Sequence, residues 1–151
     1  MGRWCWDQVN QEEFVVVEQV VPALHVRQGS TFLTFTHDSQ VDLYDIMEKR
    51  YPSKDLVGWF HTHPRMGVFL SGYDIWLHEH FFPRAWQVAL VVEPHSTVGG
   101  FFIRDQDHNL DPRRYYGFYE LSSDPERSVV HWRNLNSEEP VPETLKEDQG
   151  L

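Results

Sequence analysis

Residues 57–74 read VGWFHTHPRMGVFLSGYD. An apolar run leads into His-x-His-Pro, and seven residues separate His63 from the Ser71-x-x-Asp74 that follows. DLVGWFHTH (55–63) predicts a mostly buried strand that Pro64 stops. On a strand, residues at i and i+2 share a face, so the His61 and His63 rings point the same way, about 6.5–7 Å apart along the chain. They sit at the carboxyl end of that strand, where α/β sheets tend to place ligands. SGYDIWLHEHFF, starting at Ser71, predicts a short helix ended by Pro83, with Asp74 in its first turn.

Two readings of this stretch compete. In one, Asp74 completes a His-His-Asp set around zinc, leaving the fourth tetrahedral position to water, the signature of a catalytic site. Zinc acidifies such a water and polarises a carbonyl, and Ser71 can donate a hydrogen bond to the oxyanion. In the other, Ser71 and Asp74 form a capping box, and His-x-His is chance in a chain with nine histidines. Each piece alone favours the second reading. Their combination at a strand end and the next helix start favours the first.

Outward from this stretch, FVVVEQVV (14–21) and STFLTFT (30–36) predict strands. HDSQVDLYDIMEKRY predicts a helix capped by Asp38 or Ser39, with Val41, Leu43/Tyr44, Met47 and Tyr51 on its apolar face and Pro52 after it. Residues 65–70 are expected to be a loop. WQVALVVE (86–93) and GGFFIRD (99–105) predict a buried strand and its hairpin partner. Two further strand candidates are 113–121 and 127–135. The order β-β-α-β-α-β-β-β-β implies an α/β or α+β layer fold, a mixed sheet with helices against it.

The chain has 151 residues, enough for one domain with a sizeable core. We expect that domain to span 1–135. NSEEPVPETLKEDQGL (136–151) sets five acidic residues against Lys146 alone and is expected to be a disordered acidic tail. A net charge of −10 leaves no Lys/Arg surplus for nucleic acid or an anionic membrane. No apolar run reaches a membrane span, and the N-terminus lacks a signal-peptide core, so a cytoplasmic protein is the default. Cys5 is the one cysteine, which excludes an internal disulfide and a cysteine-rich zinc site.

VGWFHTHPRMGVFLSGYD resembles the JAMM motif of the MPN (JAB) metallopeptidase domain, and the likeness runs from about residue 12 to 121 through FVVVEQVVPA and WQVALVVEPHSTVGGFFIRD. The resemblance implies a curved mixed sheet between helices, similar to cytidine deaminases. It implies zinc held by His61, His63 and Asp74, with Ser71 stabilising the oxyanion. The implied activity is hydrolysis of isopeptide or peptide bonds at the C-terminal tails of ubiquitin, ubiquitin-like or sulfur-carrier proteins. Such domains take their general base from a glutamate on an early strand, before a segment that the opening MGRW resembles at its end. The resemblance therefore puts the base upstream of Met1 and implies an N-terminally incomplete domain. Lacking a base, proton transfer would forgo about 10²–10⁴-fold. Glu12, Glu13 and Glu18 are the conceivable substitutes, Glu18 being on a predicted strand, although an outward-facing structural carboxylate explains it as well. The rival expectation is a catalytically impaired binding or assembly module that takes zinc, a ubiquitin-like partner, or both.

Other features carry less. His78 lies one helical turn past Asp74; it is either a partner of the metal site or, as we expect, a helix-surface histidine. No HExxH, Cys-x-x-Cys or GxSxG occurs, which leaves a zincin mechanism without support, rules out deaminase chemistry and makes Ser71 a weak serine-hydrolase nucleophile. Cys5, between two tryptophans near the terminus, reads as packing. Trp59 and Phe60 are expected in the core. Met66, Val68 and Phe69 either contact a substrate tail or bury the base of their own loop.

Overall fold

The computed structural model describes residues 1–29 and 33–118. Its elements in chain order are β1 (Gly2–Asp7), β2 (Glu12–Val17), β3 (Val26–Gln28), β4 (Leu33–Phe35), α1 (His37–Arg50), β5 (Gly58–Thr62), α2 (Gly72–Phe81), β6 (Val88–Glu93) and β7 (Val98–Phe102). The expected mixed α/β architecture is present. The sheet that matters for function has the order β5-β6-β7, with β5 and β6 parallel and β6 and β7 antiparallel. Because parallel neighbours need a crossover, α2 carries the chain from the end of β5 back to the start of β6. The expected hairpin of the last two strands turns over residues 94–97, with Thr97 at φ 55°.

The core lies between this sheet and α2. Trp59, Leu70, Leu77, Phe82, Ala89, Val91 and Phe102 form one buried cluster, with Phe35, Leu56 and Ile75 packed against it. His61 and its β6 neighbour Val91 are in register, as are Trp59 and Ala89. On β5 the alternation is clean: Trp59 is buried, whereas Phe60 is 44% exposed. Phe60 is therefore not core, contrary to expectation, because the strand's second face is left open to solvent.

Several elements differ from the sequence-based expectation. The strand placed at 14–21 spans 12–17 and pairs antiparallel with β1, an unexpected strand that contains Cys5. Gln11 at φ 56° closes that hairpin. The strand placed at 30–36 is described over 33–35, where it pairs with the three-residue β3. Helix α1 is capped by Thr36, whose side chain accepts from the Ser39 backbone N–H, rather than by Asp38 or Ser39. Its inward residues are Leu43, Ile46 and Met47, each half-buried, while Val41 and Tyr44 face solvent. Of the strand placed at 113–121, the described part pairs with β7 through a bridge of Tyr116 with Phe101. The strand placed at 127–135 and the tail at 136–151 lie outside the described residues, and so does the expected domain boundary.

A further bridge ties Gly2 to Asp55, bringing the β1–β2 hairpin to the segment that leads into β5.

Candidate metal centre

Trp59, His61 and His63 follow one another on the same face of β5 and its continuation. The ladder runs one residue past the strand, because the His63 N–H donates to the Val92 carbonyl at 2.8 Å. Pro64 then ends the pairing, and Arg65 enters the left-handed region at φ 60°. The Glu93 carboxylate holds this turn by accepting from the Arg65 N–H at 2.9 Å. The same carboxylate accepts from the His95 and Ser96 N–H groups. Hydrogen bonds from Ser96 and Arg65 lower the Glu93 pKa to about 2, so it is an anion at any ordinary pH. The loop returns through Leu70, whose N–H donates to the Pro112 carbonyl at 2.9 Å.

Ser71 caps α2, and the capping box is real. The Ser71 hydroxyl accepts from the Asp74 N–H at 3.2 Å, and the Asp74 Oδ2 accepts from the Ser71 N–H at 2.7 Å. This does not exclude the metal reading; it prepares it. The box fixes the carboxylate through Oδ2 and turns Oδ1 towards His61. His61 Nε2 stands 3.3 Å from Asp74 Oδ1, and His63 Nε2 stands 3.7 Å from Oδ2. The two Nε2 atoms are 2.8 Å apart. Among the described residues, His61, His63 and Asp74 are the cluster whose donor atoms, all within 4.8 Å of one another, could hold a metal ion.

The donor set suits zinc. Two imidazole nitrogens and one carboxylate are its usual ligand types, and metal–nitrogen bonds near 2.0–2.1 Å in a tetrahedron set the nitrogens about 3.3 Å apart. The rings would part by roughly half an ångström, a side-chain adjustment. The protonation states also suit. Burial, then the neighbouring His61, hold the His63 pKa below its ordinary value. Burial pushes Asp74 up, but hydrogen bonds from His61 and Ser71 together outweigh it and hold the carboxyl below its ordinary value. A neutral imidazole and an ionised carboxylate are the forms that bind metal.

The substitute base is not brought to this cluster. Glu18 lies just past β2, paired with Arg3 at 3.3 Å and Lys54 at 2.7 Å, and Glu12 and Glu13 are exposed on β2. Among the described residues no glutamate joins the three donors. His78, expected on the helix surface, is fully buried against the sheet because its turn of α2 faces Trp59 and Phe82. No sequence feature singles out Glu93, whose role depends on the loop after β5 meeting the turn after β6. Val68 packs on the core and Phe69 lies against the His63 ring at 4.8 Å, whereas Met66 is 58% exposed beside it.

The family described as JAB1/Mov34/MPN/PAD-1 ubiquitin protease matches residues 6–83. This chain belongs to that family. Among its JAB relatives is the 26S proteasome non-ATPase regulatory subunit 14 of Caenorhabditis elegans, 32% identical over 75 residues, which are 49% of this chain and 24% of that one. AMSH-like ubiquitin thioesterase 2 of Arabidopsis thaliana is 31% identical over 96 residues, 59% of this chain and 39% of its own length. Ubiquitin carboxyl-terminal hydrolase RPN11 of Saccharomyces cerevisiae is 29% identical over 85 residues, 50% and 28% of the two chains. The JAB chain described here thus matches well under half the length of each of these relatives. No solved structure matches it.

Proposed function

We propose that the chain is a zinc-dependent peptidase that hydrolyses the isopeptide or peptide bond after the C-terminal tail of a ubiquitin-like protein. The observation that carries this is the convergence of His61, His63 and Asp74, with one carboxylate oxygen anchored to a helix cap and the other facing an imidazole. Zinc held there would supply a Lewis acid for the scissile carbonyl and lower the pKa of a bound water. Ser71 would serve the oxygen of that carbonyl: its hydroxyl accepts from Asp74 N–H, which leaves the hydroxyl proton free to be donated. Met66, exposed on the loop after His63, offers an apolar contact to an extended tail lying along the sheet edge. The ubiquitin-like substrate is supported by the names of two relatives, whereas a sulfur-carrier substrate rests on the sequence resemblance alone. No helix among the described residues is long and apolar enough to cross a membrane.

A second reading is favoured by one observation, that no glutamate among the described residues joins the cluster. It makes the chain a module that binds zinc and a ubiquitin-like partner without turning it over. Zinc analysis of the purified chain, followed by hydrolysis of a ubiquitin-tail amide reporter, separates the readings. The peptidase requires one zinc per chain and turnover that His63→Ala abolishes. Zinc without turnover, joined to ubiquitin binding, establishes the module. Absence of stoichiometric zinc sinks the peptidase and leaves only a module that binds a ubiquitin-like partner without metal, which absence of ubiquitin binding would sink in turn.

A further inference from the structure

His78 is the least expected residue near the centre. It is fully buried, on the same helix as Asp74 and one turn further on. Its Nδ1 accepts a hydrogen bond from Trp59 Nε1 at 3.1 Å. Trp59, itself 7% exposed, lies parallel to His61, with ring centroids 4.8 Å apart and planes 7° apart. His61 in turn meets His63 edge-on at 4.6 Å. A continuous path of contacts therefore runs from α2 through the indole to the metal-facing imidazole.

Histidines that bind metals are normally oriented by a hydrogen bond at the second ring nitrogen. His61 Nδ1 is buried and has no such partner among the described residues. Beyond its Nε2 contacts with Asp74 and His63, the orientation of its ring comes from packing, and a surface it packs on is the indole of Trp59. A flat stack leaves the indole free to slide or rotate in its own plane, and a hydrogen bond at Nε1 removes that freedom.

We propose that His78 is a positioning residue for the metal centre: by accepting from Trp59 it locks the indole that orients His61. This rests on the zinc-site reading above. One helix then sets both sides of the centre, Asp74 directly and His61 through the His78–Trp59 bond. The bland alternative makes His78 core filler, for which an imidazole is a poor choice. Burial, with the charge of Arg104 adding to it, lowers its pKa to about 4, whereas a leucine would fill the same space without that cost. The neutral ring keeps the Nδ1 lone pair that the indole needs. Its Nε2 has no partner of full hydrogen-bond geometry, although the Gln87 backbone interacts with the ring.

The test compares His78→Leu, which keeps the volume and loses the acceptor, with His78→Gln, whose side-chain carbonyl can still accept. Zinc affinity is read by chelator competition. On metal-free protein, hydrogen exchange of the Trp59 indole N–H is read by NMR. In His78→Leu the indole N–H loses protection and zinc affinity falls about 10–100-fold, the usual cost of removing such a support. His78→Gln recovers most of both. Should the leucine variant fail to fold, Trp59→Phe, which keeps a ring but removes the donor, gives the same fall, and His78→Gln adds nothing in that background. Unchanged zinc affinity in a folded His78→Leu, or a glutamine variant as weak as the leucine one, overturns the proposal. A wild-type chain that binds no zinc overturns the zinc reading and this one with it; a protected indole N–H beside wild-type zinc affinity in His78→Leu overturns this one alone.

Discussion

On the proposed function Asp74 would serve the fold and the chemistry with one carboxylate, and the two can be taken apart by substitution. Asp74→Asn keeps an oxygen for the Ser71 N–H and should hold stability within about 1 kcal/mol, the scale of a capping contact, while zinc binding is lost. Thermal melting with chelator competition checks the pair of outcomes. Ser71 separates in the same way. Glycine is a tolerable N-cap at a cost of a few tenths of a kcal/mol, so Ser71→Gly should melt near wild type and retain zinc. Single-turnover hydrolysis should still drop by about 10²–10³, the loss expected when an oxyanion donor goes. A further residue-scale expectation concerns pH. His78 has a folded pKa of about 4 against an ordinary 6.5, so the unfolded chain takes up the proton first. Stability should therefore fall as the pH drops from 6.5 towards 4, by up to about 3 kcal/mol, and this part of the slope should vanish in His78→Leu. Glu93, lowered from 4.5 to about 2, adds its own loss below that window. Denaturant titrations at a series of pH values separate the two. At this scale the convergence of His61, His63 and Asp74 and the place of Ser71 at the helix start were legible, because strand and helix periodicities place i, i+2 and i, i+3 side chains without any tertiary knowledge. His78 and Glu93 were not, because their roles depend on which surfaces pack together.

The elements that carry the site were the ones easiest to read. β5 and β6 are largely apolar runs and α2 a short helical stretch, each followed by a proline, and their observed bounds fall within the expected stretches. β1 was missed because its alternation of Trp4 and Trp6 with Arg3 and Cys5 begins at the chain start, where no turn residue marks an edge. β3 has three residues, too few for a period to show. The α1 cap was misplaced because Thr36, Asp38 and Ser39 are all capable, and geometry alone chooses among them. The contact that sequence could not show at all is the approach of β5 to β6 at Gly58. A Cβ there would lie 2.0 Å from the Val88 carbonyl oxygen and 2.9 Å from its carbon, backbone atoms that cannot step aside. Gly58→Ala should thus force the parallel pair apart just below Trp59 and His61. We expect a destabilisation of about 2 kcal/mol or more, within the range for strained substitutions, together with weaker zinc binding. Ser53→Ala, in the turn after α1 and away from that pair, should do neither; equal melting temperatures for the two variants would refute the account.

For the molecule as a whole, the candidate donor atoms lie on parts of the chain that are otherwise held mainly by apolar packing. His61 and His63 belong to the sheet, Asp74 to α2, and the cluster of Trp59, Leu70, Leu77, Phe82, Ala89, Val91 and Phe102 between sheet and helix is apolar. An ion shared by these groups would tie sheet to helix and would bind the folded chain but not the unfolded one, where the three donors are scattered. Binding of that kind stabilises by RT ln(1 + [L]/Kd), or about 4 kcal/mol when zinc is present at a thousand times its dissociation constant. At the few degrees per kcal/mol typical of domains this size, the melting temperature should rise on the order of 10 °C. The rise should depend on zinc concentration, and it should disappear in Asp74→Asn and His63→Ala. It should persist, at higher zinc, in His78→Leu, because that residue orients a donor without supplying one. Magnesium should give no comparable rise, since it prefers oxygen donors and octahedral geometry to two imidazoles. A chain with net charge −10 attracts divalent cations weakly over its whole surface. A shift that magnesium reproduces, or that survives loss of Asp74, would therefore reveal a diffuse charge effect in place of a built centre.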